Sequence, residues 1–301
     1  MPEEAWRAIA GAVDMHVHVT PDVIERRLSD LDLASEFLTH GLRGFVLKSH
    51  YVPTAERAAV VRQVRPGIEA VGSITLNHAV GGLNPAALEI SARLGARVVW
   101  MPTVDAANEW TARPVNAPPP AWGAVQAELM ARAGYPAPIS LLDPAGQLTA
   151  PASECLEVAL AHGMVVATDH IGRAEVFTLI ERVRAGDSAV VVTHAEFPSL
   201  NLSAGEQLEL TRRGAFIEHC FTTAHTGKTT WDTLISNIRA TGPQQVVIST
   251  DLGQTTNPPV AAGLAEFAER LLAAGFSSAA VTRMAVTNPC QLLGIGIVQE
   301  V

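Results

Sequence analysis

The sequence predicts a parallel α/β fold, and within that class a single (β/α)8 barrel formed by residues 1–301. Short β-branched runs alternate with longer Ala-, Leu- and Glu-rich segments of helical periodicity. The short runs are continuously apolar, as expected for parallel strands that are covered on both faces. Their starts are spaced by roughly 25 to 30 residues, the length of one βα unit. Eight such units need about 250 residues, and no G-x-G-x-x-G motif follows the first strand, so a barrel is favoured over a doubly wound sheet.

The predicted strands are the β-branched runs at 11–19, 44–48, 68–76, 97–101, 164–168, 189–193, 215–218 and 245–250. The fourth and fifth starts are separated by about 65 residues, which places an insertion at about 102–150, after strand four. Within it we expect a short helix at 122–133 and a β-hairpin at 139–148. Because βα connections lie on the C-terminal face of a barrel, the insertion is either an active-site lid or an arm of a subunit interface.

The segments between the strands carry helix start and stop signals. Asn84 and Pro85 supply an N-cap and a first helical residue, and Gly95 is placed to end that helix. Ser203 and Glu206 have the spacing of a capping box. These signals support the alternation of strand and helix.

Composition excludes several classes of function. The formal net charge is −9 and no basic run occurs, which argues against nucleic acid or an anionic membrane as a partner. No stretch approaches the roughly 18 uninterrupted apolar residues of a membrane span, and the acidic N-terminus leads into no signal core. Three scattered cysteines suit a reducing compartment, so we expect a cytoplasmic protein that acts on a small molecule. The apolar, alanine-rich composition is compatible with a homo-oligomer.

Histidine placement is the most informative feature of the sequence. Seven of the ten histidines lie at or just beyond the end of a predicted strand: His16, His18, His50, His78, His170, His194 and His219. Windows of about four residues at eight strand ends cover roughly a tenth of the chain, so chance predicts about one. His40 and His162 each precede a glycine at a predicted helix end, where a cation suits the helix dipole. His225 is open to either interpretation.

This pattern predicts a metal centre in the barrel mouth. His16 and His18 are two residues apart on strand one, so both rings face the barrel interior. Asp251 closes strand eight and adds a carboxylate. Imidazole together with carboxylate selects zinc, manganese, iron or nickel over magnesium and calcium, and zinc is our first expectation.

At these residues the sequence resembles the amidohydrolase superfamily of metal-dependent hydrolases. The resemblance runs through Asp14-Met15-His16-Val17-His18, His170, Thr193-His194, Ser249-Thr250-Asp251 and Asn288-Pro289. The segments 72–78 and 98–103 look like a little-characterised prokaryotic branch. The resemblance implies that His16, His18 and Asp251 bind the main metal, joined by His170. It places His194 in a second metal site or in contact with the water.

One departure from the superfamily pattern concerns the number of metal ions. Many binuclear members bridge two metals with a carboxylated lysine at the end of strand four, whereas here that strand ends in Trp100-Met101-Pro102-Thr103. Lys48 at the end of strand two, with His50 facing the same way, is the candidate replacement. Only one other lysine, Lys228, occurs in the chain. One ion is favoured over two.

The expected roles follow from water activation by the metal. Asp251 is placed to accept the proton of the water and return it to the leaving group. The residues expected to hold substrate or an oxyanion are Lys48, His50, His78 and His219, with Lys48 and His219 also counted as catalytic. Lys48 has a salt bridge in the barrel mouth as its alternative role, and His78 has loop ordering. Glu218 is expected as a supporting partner of the site, Cys220 as packing, and Asp169, pointing away from His170, as a helix cap.

These residues lead to one leading hypothesis and three alternatives. The leading one is a metal-dependent hydrolase that acts on a C–N bond, in an amide or cyclic amide. The same scaffold also suits a metal-dependent decarboxylase or hydratase, or a lactonase or phosphoesterase. A barrel without activity, serving as a subunit or binding module, is the fourth and is disfavoured because His16, His18 and Asp251 are all present.

Overall fold

Eight parallel strands form the barrel in a computed structural model that describes residues 3–112, 118–184 and 188–296. The strands are β1 (Val13–Val17), β2 (Gly44–Leu47), β3 (Glu69–Thr75), β4 (Ala96–Trp100), β5 (Val165–Ala167), β6 (Val190–Val192), β7 (Phe216–Cys220) and β8 (Val246–Ser249). Their order in the sheet is their order in the chain, and every neighbouring pair is parallel. The predicted (β/α)8 fold and all eight strands are therefore confirmed.

The ring closes between the ends of β1 and β8. A parallel bridge joins Val17 to Leu252, and the amide of Asp251 donates to the carbonyl of His16 at 2.8 Å. The amide of His18 donates to the carbonyl of Leu252 at 2.8 Å. Gly253 lies against this seam at φ +137°, and a Cβ there would sit 1.7 Å from the carbonyl oxygen of His18, so only glycine fits. The closure brings the predicted ligands of the first and last strands together.

Helices cover the outside of the barrel. They are α1 (Glu3–Ala8), α2 (Asp30–Thr39), α3 (Ala55–Val64), α4 (Pro85–Arg93), α5 (Ala107–Thr111), α6 (Ala124–Met130), α7 (Ala150–Ala161), α8 (Arg173–Val183), α9 (Ala204–Arg212), α10 (Phe221–His225), α11 (Trp231–Thr241), α12 (Val260–Ala273), α13 (Ser278–Thr282) and α14 (Asn288–Leu293). Asn84 caps α4, and Ser203 and Glu206 form a capping box on α9, as predicted. His40 and His162 occupy the C-caps of α2 and α7. No helix in the described ranges is long and apolar enough to cross a membrane.

The insertion after β4 is bonded to the rest of the chain, because Nε2 of His78 lies 2.9 Å from the carbonyl oxygen of Ala137 and the amide of Leu141 donates to Glu175 at 2.6 Å. It contains α5, a 3-10 turn at Ala121–Gly123 and α6, while residues 113–117 lie outside the described ranges. An antiparallel bridge between Leu142 and Leu148 forms the predicted hairpin. A parallel bridge joins Ile139 to Ala106. The helix α5 was not predicted, because its five residues are too few for a recognisable apolar period.

Candidate metal centre

A cavity of about 320 Å³ opens at the C-terminal ends of the strands. Its wall includes side chains that follow β1, β2, β5, β6, β7 and β8, namely His16, His18, Lys48, His50, His170, His194, Thr222 and Asp251. This size suits a small molecule, and this face of the barrel is where the fold carries its active sites.

The first donor group stands at the closure of the barrel. The Nε2 atoms of His16 and His18 lie 3.3 and 3.2 Å from Oδ1 of Asp251. Both histidines are buried, and Thr222 donates from its hydroxyl to the other carboxylate oxygen at 2.9 Å. The three residues predicted to bind the main metal are thus brought together with their donor atoms facing one point.

A second donor group lies across the cavity floor. Oδ1 of Asp169 is 3.5 Å from Nε2 of His170 and 3.6 Å from Nε2 of His194. All three side chains are buried. The donor atoms of each group lie within 4.8 Å of one another. These two sets of potential ligands together contain the four predicted histidines. A third set, His16 with Glu218 and Cys220, has His16 in common with the first.

Lys48 stands between the two groups. Its Nζ lies 2.7 Å from Oδ2 of Asp169 and 3.1 Å from Nε2 of His16. The ammonium also sits over the ring of Trp100, 4.4 Å from its centroid. The alternative role given to Lys48, an ion pair in the barrel mouth, is present in the structure.

Left-handed backbone conformations direct three of the donors. Asp169, His194 and Asp251 have φ values of 50°, 31° and 53°, in the left-handed region that few residues other than glycine adopt and in which asparagine, aspartate and histidine are the commonest exceptions. Each residue directly follows or lies just beyond the end of a strand, where regular alternation stops. The prediction that Asp169 points away from His170 and caps a helix is wrong. Its side chain turns toward His170, and the N-cap of α8 is Gly172.

Two glutamates hold histidine rings from behind. Oε2 of Glu109 lies 2.9 Å from Nδ1 of His170, and Oε2 of Glu218 lies 3.4 Å from Nδ1 of His16. A carboxylate on Nδ1 fixes the tautomer that leaves Nε2 free as a ligand. Glu218 occupies the supporting position expected from the sequence. Glu109, from α5 in the insertion, was missed, because it lies eight or more residues from any strand end that the pattern marks.

The electrostatics of His18 and Asp251 in the first group suit a cation. Burial lowers the pKa of His18 to about 4, with Arg26 acting in the same direction, so the ring is neutral at pH 7. Burial alone would raise the pKa of Asp251, but His16 and His18 outweigh it and hold that pKa well below its usual range. A neutral imidazole and an ionised carboxylate are the forms in which these side chains bind a metal.

The insertion supplies part of the cavity wall. Trp122 lines it, with its ring centroid 5.0 Å from that of His170 and 6.1 Å from that of His50. His50 also lies 4.9 Å from the ring of His18, and its Nδ1 is 2.9 Å from the hydroxyl of Thr103. His50 therefore faces the cavity, as predicted from its spacing to Lys48.

Two predicted site residues are placed elsewhere. His219 faces the helix layer, where both oxygens of Glu196 lie 3.0 and 3.1 Å from its Nδ1, because β7 continues to Cys220 and turns alternate residues outward. It is Cys220 that faces inward, with Sγ 3.7 Å from Nδ1 of His16. His78 bonds the carbonyl of Ala137 at 2.9 Å, so it orders the insertion. The expectation that His78 and His219 contact substrate is corrected by these placements.

The residues present suit a divalent transition metal. The two donor groups together offer four imidazole Nε2 atoms and two carboxylates, which is the donor chemistry of zinc, manganese, iron or nickel. Two of the rings are fixed by glutamates, and all the donors except the partly exposed Asp251 are buried.

Comparison with solved structures identifies proteins of similar fold. An amidohydrolase from Pseudomonas aeruginosa matches with a TM-score of 0.60 and 14% identity, over 96% of this chain and 97% of that one. The probable dipeptidase PvdM from Pseudomonas aeruginosa matches at 0.58 and 14%, over 97% and 96%. A 2,6-dihydroxybenzoate decarboxylase from Rhizobium matches at 0.55 and 11%, over 94% and 98%. The resemblance to amidohydrolase-superfamily structures is confirmed at the level of fold.

Comparison with curated proteins finds no significant match. A family model described as "Family of unknown function (DUF6282)" matches residues 11–218, a range that contains His16, His18, Lys48, His170 and His194 but ends before Asp251. The chain belongs to this family, DUF6282.

Proposed function

We propose that this protein is a metal-dependent hydrolase that cleaves a C–N bond, in an amide or cyclic amide of a small molecule. The observation that carries the proposal is the convergence of His16, His18 and Asp251 at the base of the cavity, with donor atoms 3.2 to 3.3 Å apart. Likeness in fold to an amidohydrolase and a probable dipeptidase supports the choice of reaction.

His16, His18 and Asp251 would hold one ion, zinc being the first expectation. His170, which the resemblance adds as a further ligand, lies in the second donor group. The ion would supply a Lewis acid that lowers the pKa of water and polarises the bond under attack. We assign one ion rather than two because the Lys48 ammonium lies closer to the second donor group, 2.7 Å from Oδ2 of Asp169, than to the first, 3.1 Å from Nε2 of His16. If Lys48 were carboxylated instead, it would stand between the groups as a bridge.

The remaining steps belong to side chains of the chain itself. Oδ2 of Asp251, positioned by the Thr222 hydroxyl, accepts the proton of the attacking water and returns it to the leaving nitrogen. Lys48 and His50 face the cavity and orient the carbonyl oxygen as charge develops on it. Trp122 covers the site and limits access of bulk water, which is the role of a lid.

A metal-dependent decarboxylase is the second candidate. It is favoured by the likeness in fold to 2,6-dihydroxybenzoate decarboxylase across 94% of this chain. The two reactions differ in product: the hydrolase releases an amine and a carboxylate from an amide, whereas the decarboxylase releases carbon dioxide. Assays of both products with metal-loaded protein distinguish them.

Metal content per chain tests the proposal first. The protein is purified without added metal, and its transition metals are measured by elemental mass spectrometry beside a His16→Ala/His18→Ala variant. We expect about one ion per chain, lost in the variant. His40→Ala is the matched control, because His40 lies at a helix end and stacks on Trp6.

Other outcomes have defined meanings. About two ions per chain, together with added mass on Lys48, would replace the single-ion assignment with a bridged pair. No metal in the wild-type protein, even after incubation with zinc, manganese or iron, would refute the hydrolase and the decarboxylase alike.

A further inference from the structure

Arg26 forms part of the cavity wall beside the first donor group. It lies in the loop between β1 and α2, and its backbone forms an antiparallel bridge with Gln254, another residue of the cavity wall. Its side chain is 1% exposed, and Nε donates to Oδ2 of Asp22 at 2.7 Å. The ion pair with Asp22 and the backbone bridge with Gln254 therefore hold the guanidinium in one orientation.

This guanidinium is only partly satisfied. Among the residues that the structure describes, Nη2 of Arg26 has no hydrogen-bond partner. A buried N–H without an acceptor is unfavourable, and it is more so when it carries charge. The planar fork of a guanidinium matches a carboxylate, which accepts hydrogen bonds through two oxygens. A bound anion would therefore supply the hydrogen-bond acceptor that Nη2 of Arg26 lacks among the described residues.

The distribution of charge around the cavity agrees with this need. Both lysines of the chain, Lys48 and Lys228, line the cavity together with Arg26, although the chain as a whole carries a charge of −9. Lys48 and Arg26 each pair with one aspartate, Asp169 and Asp22, and Lys228 adds a further cation. Glu25 is the acidic residue of the wall besides Asp251, and it is exposed, so solvent screens it. Lys228 lies in the loop after α10, where its Nζ donates to the Thr226 hydroxyl at 2.8 Å.

We propose that the cavity takes a small molecule that bears a carboxylate, and that Arg26 binds this carboxylate through its guanidinium. The proposal rests on the proposed function only in taking the cavity as the substrate site. Apolar walls at Ile24, Trp122 and Phe197 accommodate the rest of the molecule. The carboxylate then lies next to the ion site, with the bond to be cleaved over His16, His18 and Asp251.

Ligand-observed NMR titration tests the assignment with probes of equal shape and different charge. Benzoate, its neutral isostere benzamide and inorganic phosphate are titrated into metal-free and metal-loaded protein. We expect benzoate to bind more tightly than benzamide and phosphate in both forms, because Arg26 acts without the metal. In Arg26→Gln the affinity for benzoate should fall about tenfold or more, which is the usual effect of losing a charged hydrogen bond.

Arg27→Gln is the matched control, since Arg27 is the next residue, is exposed and bonds the carbonyl of Thr255 at 2.8 Å. Its affinity for benzoate should equal that of the wild type. Because Arg26→Gln leaves Asp22 unpaired, the Asp22→Asn/Arg26→Gln variant is measured as well, with circular dichroism to establish folding. It should show the same loss of affinity.

Three results would overturn the inference: benzamide binding as tightly as benzoate, phosphate binding more tightly than benzoate, or unchanged affinity for benzoate in both Arg26 variants. Metal content is measured on the same samples. If the protein binds metal but its affinity for benzoate does not depend on Arg26, only the carboxylate subsite is refuted. If the protein binds no metal, the proposed function is refuted.

Discussion

Glu109 offers the sharpest test of the proposed metal centre, because the hydrogen bond from its carboxylate to His170 is its contact with the donor groups. Its carboxylate is 7% exposed and lies 2.9 Å from Nδ1 of His170. A hydrogen bond to a charged group contributes about 1.5 to 3 kcal/mol, which corresponds to roughly 10- to 100-fold in an equilibrium constant. Loss of a carboxylate behind a ligating histidine has the same measured range. Glu109→Gln keeps an acceptor, so we expect about tenfold weaker zinc binding, and for Glu109→Ala about 100-fold.

The assay is competition for zinc against a chromophoric chelator, well below the unfolding temperature. Glu175→Gln is the matched control, because Glu175 is also 7% exposed and hydrogen-bonded, yet it binds the amides of Leu141 and Gly172 away from the donor groups. If both Glu109 variants bind zinc as tightly as Glu175→Gln, His170 is not a ligand. The metal would then depend on His16, His18 and Asp251 alone.

Three further predictions concern stability and accessibility. Gly253→Ala should destabilise the fold by about 3 kcal/mol or more in chemical unfolding, because its Cβ would overlap the carbonyl of His18 at a positive φ; an unchanged midpoint would contradict the model of the seam. Burial raises the pKa of the Cys155 thiol to about 12 and also raises the pKa of Cys220 and Cys290, so a disulfide reagent at pH 8 should label none of the three natively and all three after unfolding. Burial alone would raise the pKa of Glu196, but His219, Asn237 and Gln207 together lower it below 4.5. Its stabilising contribution is therefore present above about pH 4.5 and lost as the pH falls through the folded pKa, so wild-type unfolding free energy should drop more steeply on acidification than that of Glu196→Gln.

The fold was predictable because its signals are repetitive. Continuous apolar runs, their spacing, the helix N-caps and the glycine stops each recur along the chain, so an error at one element leaves the barrel unchanged. His16 and His18 were placed correctly because two-residue spacing on a regular strand fixes the face.

The errors concentrate where regular backbone ends. Alternation predicted Asp169 to point away from His170, and the left-handed conformation at φ 50° reverses this. For His219 the alternation holds, but β7 extends two residues beyond its predicted end at Glu218, so the inward face belongs to Glu218 and Cys220. Glu109 reaches His170 by way of the insertion, and no local pattern in a sequence reports such a long-range contact.

The three left-handed donors have a consequence that extends beyond geometry. Asp169, His194 and Asp251 occupy left-handed backbone positions where glycine would be unstrained. Each of these residues therefore lowers the free energy of unfolding by roughly 1 to 3 kcal/mol relative to an unstrained residue. In a relative that is no longer selected for catalysis, substitutions that remove this strain should accumulate at the three positions. If relatives keep an acid at positions 169 and 251 and a histidine at position 194, this conservation would indicate selection for catalysis even before a substrate is identified.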